Sequence, residues 1–100
     1  MNDYSKMMEA DRRLVVLRIL AEVPGYELNS SVLQLALQGF GHNVSRDLIH
    51  TDIAWLSEQG LVSHREIASV QVAMLTARGL DVSQGRATVP GVKRPGPGGA

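Results

Sequence analysis

Cysteine is absent from the sequence, and aromatic residues make up only 4% of it. Without cysteine there is neither a disulfide framework nor thiolate chemistry, so the fold must depend on apolar packing. No apolar run approaches the roughly 20 residues that a membrane-spanning helix needs. The first residues also lack the basic stretch and apolar run of a secretory signal. We therefore expect one small cytoplasmic domain with no membrane association.

The net charge is zero, but the charges are unevenly distributed. Residues 1–81 hold all ten acidic residues and seven of the ten basic ones, which gives a net charge of −3. Residues 82–100 hold three basic residues and no acid. A nucleic-acid-binding domain usually carries a clustered basic face, and here only the C-terminal segment is cleanly basic.

The chain divides by composition near residue 85. Half of the last sixteen residues are glycine or proline. Glycine raises the entropy cost of ordering the backbone, and the segment has few apolar residues to offset it. The sequence therefore predicts a folded domain over residues 1–84 and a disordered basic tail over residues 85–100.

The first predicted helix runs from about Ser5 to Ala21, because apolar residues recur there at helical spacing. Val15 and Ile19 widen its apolar surface beyond one stripe. That width indicates either deep burial or contact with a partner helix. A second helix begins after Asn29 or Ser30, whose side chains can cap its free amides, and it ends near Gly39.

The third predicted helix has the clearest start signal. Ser45 is a favourable cap, and the helix ends near Gln59, before Gly60. Ile49, Ile53 and Leu56 fall within about 60° of one another at about 100° per residue, which predicts a buried ridge. Asp52 lies close to this ridge, so we expect it to pair with an arginine such as Arg18.

After Gly60 the apolar period changes from helical to alternating. Residues 61–65 and 70–75 read as two short strands of a hairpin. Thr76 can cap a last helix from Ala77 to about Gln84. The order helix, helix, helix, hairpin, helix predicts a mainly α fold with a small β-hairpin: a winged helix-turn-helix domain.

Three stretches carry a family resemblance: residues 44–47 (VSRD), 56–62 (LSEQGLV) and 75–79 (LTARG). They resemble the start of the recognition helix, its junction with the wing and the start of the post-wing helix in MarR- and ArsR-type winged helices. In those families the second and third helices form the DNA-reading pair. The linker from Gly39 to Val44 is longer than the turn of about three or four residues in a tight helix-turn-helix.

Residues 10–95 also resemble a family of small conserved proteins of Mu-like phages and prophages. The carrying segments are residues 41–47 (GHNVSRD), 52–62 (DIAWLSEQGLV) and 75–82 (LTARGLDV), followed by Gly85-Arg86 and residues 89–95 (VPGVKRP). The resemblance implies a winged-helix domain, a phage or prophage origin and a place in the cytoplasm of a bacterial host.

Candidate DNA-binding residues come from the third helix, the wing and the tail. Arg46 and His50 lie in the first turns of the third helix, which in a helix-turn-helix protein point into the major groove. The candidates with them are polar or charged side chains able to meet phosphates or base edges: Ser45, Asp47, Thr51, His64, Arg65, Lys93 and Arg94. Each charged candidate could equally be an ordinary solvent-exposed side chain with no contact to DNA.

Other chemistry has little support in the sequence. His42, His50 and His64 lack metal-ligand spacing, and no glycine-rich phosphate loop follows a strand. No local spacing marks out a catalytic set. We expect no enzyme activity, no metal, no cofactor and no small-molecule substrate.

Two functional hypotheses remain. In the first, the protein is a phage transcriptional regulator that binds double-stranded DNA as a homodimer formed through the first helix. In the second, it is a winged-helix interaction module in a phage replication or assembly complex, with the first helix and Trp55 as its anchoring surface. The negative charge of residues 1–81 favours the second, and the order of elements favours the first.

Overall fold

A computed structural model describes residues 3–97 of the chain. Its four helices are α1 (Asp3–Glu22), α2 (Ser30–Gln38), α3 (Arg46–Glu58) and α4 (Ala77–Ser83). Its three strands are β1 (Glu27–Asn29), β2 (Val62–Ile67) and β3 (Val70–Leu75), and a single 3₁₀ turn (Pro24–Tyr26) joins α1 to β1. This is the predicted order with one added strand, β1.

The helices begin where local signals predict. Asn29 Oδ1 accepts from the Val32 amide, Ser45 Oγ from the Leu48 amide and Thr76 Oγ1 from the Gly79 amide. A capping side chain satisfies amides that the first helical turn leaves free. The caps of α2, α3 and α4 are therefore those that the sequence predicts.

The sheet is antiparallel, with strand order β1-β3-β2. β2 and β3 form the predicted hairpin, in which Val62 lies opposite Leu75 and Ile67 opposite Val70. β1 adds three residues to the other edge of β3, with Leu28 opposite Ala73. The sheet thus ties the segment before α2 directly to the wing.

The core lies between the helices and one face of the sheet. The predicted ridge of Ile49, Ile53 and Leu56 is completely buried, which confirms the helical register of α3. These side chains pack with apolar residues from the other elements: Leu14, Leu17, Leu20, Leu33, Leu37, Leu61, Ala73 and Val82. The winged-helix architecture is therefore confirmed.

A buried ion pair joins α1 to α3. Arg12 Nε donates to Asp52 Oδ2 at 2.5 Å, and Arg12 Nη2 donates to Asp52 Oδ1 at 3.1 Å. The bond to Asp52 raises the pKa of Arg12 above its ordinary value, against the opposing effect of burial. The predicted pairing of Asp52 with an arginine is confirmed, but the partner is Arg12 and not Arg18. The correct partner lies six residues earlier, on the side of α1 that faces α3.

The segment after Gly85 is not a free tail in the described range. Val89 and Val92 are buried in the core, and the Lys93 amide donates to the Ala10 carbonyl at 3.1 Å. We call residues 86–95 the strap. The packing of the strap contradicts the prediction of disorder for residues 86–95, because two buried valines add enough apolar contact to hold a segment rich in glycine and proline. Residues 98–100 of the predicted tail lie outside the described residues.

Trp55 lies where the strap crosses α1 and α3. The Arg13 guanidinium stacks over its ring at 3.8 Å from the centroid, and Arg13 Nη1 also donates to the Gly91 carbonyl at 3.1 Å. Arg13 and Gly91 thus cover much of the indole. Among residues 3–97, no helix has the length and apolar character to span a membrane.

Candidate nucleic-acid interface

The N-terminal end of α3, an amphipathic helix, is polar. Ser45 caps it and Asp47 stands in its first turn, where a carboxylate suits the positive end of the helix dipole. Val44, just before the cap, is half-buried against the core. These contacts fix the direction in which α3 leaves the α2–α3 turn.

Arg46 is the cation nearest to this end. The sequence predicts that it points into solvent, but its side chain is half-buried against α2. Its Nε donates to Gln34 Oε1 and its Nη2 to Ser31 Oγ, each at 3.2 Å. Gln34 Nε2 in turn donates to the Val44 carbonyl at 2.9 Å. Hydrogen bonds to α2 therefore fix the side chain of Arg46.

His50 is also turned toward the protein. Its Nε2 lies 2.9 Å from Ser30 Oγ, and Ser30 is fully buried. The Gln71 amide of β3 donates to the same Ser30 oxygen at 3.1 Å. Ser30 thus joins α2, α3 and the wing. The prediction that His50 points to solvent is wrong, because a neighbouring helix supplies a hydroxyl group within its reach.

The residues of α3 that do face solvent are Asp47, Thr51, Ala54 and Glu58. Thr51 Oγ1 donates to the Asp47 carbonyl of its own helix at 3.2 Å. This face is acidic at both ends and small or hydroxylated between them.

The wing carries two further residues of the predicted DNA-binding set. His64 and Arg65 on β2 are exposed, as are all residues from Ser63 to Ser69. Arg65 Nη1 lies 3.1 Å from Glu27 Oε2 of β1, so its charge has an acidic partner across the sheet. The wing therefore offers one exposed histidine and one neutralised arginine.

The C-terminal cations lie apart from the start of α3. Lys93 Nζ donates to Asp11 Oδ1 on α1 at 3.1 Å, and Asp11 Oδ2 lies 2.7 Å from His42 Nε2. Arg94 is exposed. Within residues 3–97, no hydrogen bond or ion pair links Lys93 or Arg94 to α3 or the wing. In that same range no cluster of three or more histidine, aspartate or glutamate side chains is arranged to hold a metal ion.

Sequence reasoning missed the α2 residues that organise this surface: Ser30, Ser31 and Gln34. Their signal was available, because they are hydrogen-bonding residues at spacings of three and four on a mostly apolar helix, and such residues share a face. We define the polar junction as Ser30, Ser31, Gln34, Arg46 and His50. It joins the two helices of the predicted helix-turn-helix pair.

No established protein-family model matches the chain. A protein of Escherichia phage Mu, the uncharacterized protein gp26, is 50% identical over 91 residues, which span 91% of this chain and 94% of the phage protein. An uncharacterized protein of Haemophilus influenzae is 41% identical over 81 residues, which span 80% of this chain and 78% of that protein.

The fold is similar to that of a solved DNA-binding regulator. The solved structure is the crystal structure of Sco3205, a MarR family transcriptional regulator from Streptomyces coelicolor, in complex with DNA. The TM-score is 0.63 at 24% identity, and the match covers 73% of this chain and 44% of the regulator. At this identity the likeness shows the winged-helix fold alone.

Proposed function

The chain belongs to the family of the phage Mu protein gp26, and from this premise we propose that it is a phage or prophage protein that binds double-stranded DNA and regulates transcription. The start of α3 enters the major groove and the wing lies along the backbone. Sco3205, a regulator with a similar fold, is described in complex with DNA, which supports this choice of partner.

The proposal depends on one observation, which is that hydrogen bonds to α2 fix the guanidinium group of Arg46. Two of its nitrogens, Nε and Nη2, donate to Gln34 and Ser31. Within the described residues Nη1 has no hydrogen-bond partner, so it remains available to a phosphate or to a guanine edge. A side chain that is already fixed loses little conformational freedom on binding.

Neutral polar groups surround Arg46. Ser31, which accepts from Arg46, is exposed, and so are three polar residues close to Arg46 in the sequence: Asn43, Ser45 and Thr51. Hydroxyl and amide side chains supply many of the contacts that position a protein on the phosphate backbone. Asp47, on the same end, can accept from the amino group of cytosine. In this arrangement His50 positions the helix and does not read a base.

The charge of the surface sets the expected strength of binding. Asp47 and Glu58 stand on the outward face of α3, and Glu27 neutralises Arg65 on the wing. One copy would therefore make few phosphate contacts and bind weakly. Two copies on one duplex double those contacts, which favours a homodimer as the binding unit.

Anisotropy titration of a labelled mixed-sequence duplex tests the proposal. We expect affinity to fall as salt rises, with each phosphate contact adding about −0.9 to the log–log slope. Arg46→Gln should weaken binding about 5- to 100-fold. Arg78→Gln is the matched control, because it removes the same charge from an exposed position at the start of α4.

The control should leave the affinity close to that of the unchanged protein. Absence of binding at low salt, or equal losses in the two variants, would contradict the proposal. Circular dichroism of both variants shows whether the fold is retained.

A second candidate function is favoured by one observation. Leu35 and Phe40, at 68% and 63% exposure, form an apolar surface on and just after α2 with Val32. A protein partner in a phage replication or assembly complex could cover it. Trp55 is a poor anchor for such a partner, because Arg13 and Gly91 already cover it. Failure to bind DNA at low salt would leave this function standing.

A further inference from the structure

An open apolar groove of about 670 Å³ runs between α1 and α2. Its apolar walls are Val15, Ile19, Val23, Ala36 and Phe40. Charged side chains of α1 stand along the same groove: Asp11, Arg18 and Glu22. Within residues 3–97, the side chains of Arg18 and Glu22 make no hydrogen bond or ion pair.

The groove continues as a stripe along the whole of α1. Tyr4 and Met7, at the other end of the helix, are 68% and 67% exposed. At about 100° per residue, these two lie within about 80° of the charged groove residues and Val15. The stripe therefore reads, from one end of α1 to the other: Tyr4, Met7, Asp11, Val15, Arg18, Glu22.

This stripe is complementary to itself when it is reversed. Asp11 and Arg18 lie at equal distances on either side of a point between Leu14 and Val15. If two copies of α1 pack antiparallel, Asp11 of each faces Arg18 of the other, and Val15 lies near the two-fold axis. Met7 of each then covers the stem of Glu22 of the other. A parallel pair would instead place like charges together, which is unfavourable.

We infer that this groove is a homodimer interface in which the α1 helices of two copies pack antiparallel. The occupant of the groove is the α1 stripe of a second copy. A two-fold contact of this kind must be self-complementary, and the order of charges along α1 meets that requirement. Val15 and Ile19 serve both surfaces, because they border the core on one side and the groove on the other.

The inference deepens the proposed function, because it supplies the second copy that weak DNA binding calls for. It is tested without DNA. A monomer that binds duplex as proposed would overturn only the dimer, and a dimer without affinity for duplex would overturn only the DNA-binding function.

The absence of cysteine makes a clean crosslinking experiment available. In the antiparallel pair, position 15 of one copy lies about 1.5 Å along the axis from position 15 of the other. Position 7 lies about 22 Å from its own counterpart, and opposite position 22. We expect Val15→Cys to form a covalent dimer with a short bismaleimide, while Met7→Cys and Glu22→Cys separately do not.

A mixture of the Met7→Cys and Glu22→Cys proteins should form the mixed dimer. Gln38→Cys, exposed at the end of α2, measures collisional crosslinking. Arg18→Asp should shift the unlinked protein to monomer in analytical ultracentrifugation, and Arg18→Lys should keep the dimer. A monomeric native protein, or crosslinking of Met7→Cys as efficient as that of Val15→Cys, would overturn the inference.

Discussion

The two halves of α3 differ in what holds them. The C-terminal half is fixed by the buried pair of Asp52 with Arg12 and by Trp55 under Arg13 and the strap. The N-terminal half is held by hydrogen bonds to α2, through Arg46 and His50, and its outer side faces solvent. One half joins the core and the other presents polar groups at the surface.

A small domain can thus position a binding surface without a large core. The Arg12–Asp52 ion pair and the stacking of Arg13 on Trp55 set the position of α3 against α1. Neutral hydrogen bonds at the polar junction then set the side chains of its exposed end. Changes in the first set should affect stability, and changes in the second should affect binding with little loss of stability.

The largest effect is expected from Asp52→Asn. The substitution leaves the buried Arg12 guanidinium without a countercharge, and breaking a buried ion pair from one side costs about 3–5 kcal/mol. Glu58→Gln is the matched control, because it makes the same chemical change on an exposed side of α3 and should stay within about 0.5 kcal/mol. Urea unfolding measures both. Similar values in the two variants would contradict the anchored role of the C-terminal half.

Gly91→Ala tests the strap with a smaller expected effect. A β-carbon there would lie 2.9 Å from Trp55 Cζ2 and 3.0 Å from Arg13 Nη1, and the backbone has φ +98°. Gly41→Ala, at φ +85° with no neighbouring heavy atom within 4 Å, carries the backbone strain alone. We expect Gly91→Ala to be less stable than Gly41→Ala by about 1–3 kcal/mol, the usual cost of overpacking.

Trp55 is the single tryptophan, so its fluorescence reports whether the strap is packed on its ring. Its fluorescence should change in Gly91→Ala and remain unchanged in Gly41→Ala. If both variants lost equal stability and kept the same emission, the strap would not be packed on the ring.

The sequence predicts well what local chemistry decides. The cap at Ser45, the stop at Gly60 and the buried face of α3 depend on neighbours within a few residues, and all are confirmed. The strand β1 could not be predicted, because its three residues pair only with β3, more than forty residues away. The strap was missed for the same reason: Val89 and Val92 are buried by residues distant in the sequence, which composition alone does not reveal.

The candidate site was predicted by position but not by environment. A helical projection places Arg46 and His50 away from the ridge of α3, and they do lie off that ridge. It cannot show that Ser30, Ser31 and Gln34 of α2 stand within hydrogen-bond distance of them. In the same way, it places Asp52 near the core without choosing between Arg12 and Arg18. Partner choice depends on how two helices are rotated against each other, which a single helix does not encode.

The smallest effect is expected at Asp11, where the strap, α1 and the α2–α3 turn meet. Burial is the largest single influence and raises the pKa of Asp11, but hydrogen bonds from His42 and Lys93, together with their charges, outweigh it and lower the pKa below 3.8. A carboxylate with a lowered pKa in the folded state stabilises the fold above its unfolded pKa. That contribution is lost as the pH falls through the folded pKa.

Asp11→Asn removes this titration. The variant should be slightly less stable than the native protein at neutral pH, and the difference should shrink as the pH falls below about 3.8, the ordinary value. Urea unfolding across that range measures it, with Arg18→Gln in parallel to account for any loss of the proposed dimer contact. Because Asp11 is about one-third exposed, water screens its ion pairs, and this places the effect below those of Asp52 and Gly91. If the free energy of unfolding fell equally with pH in the native and Asp11→Asn proteins, His42 and Lys93 would not stabilise the charged form of Asp11.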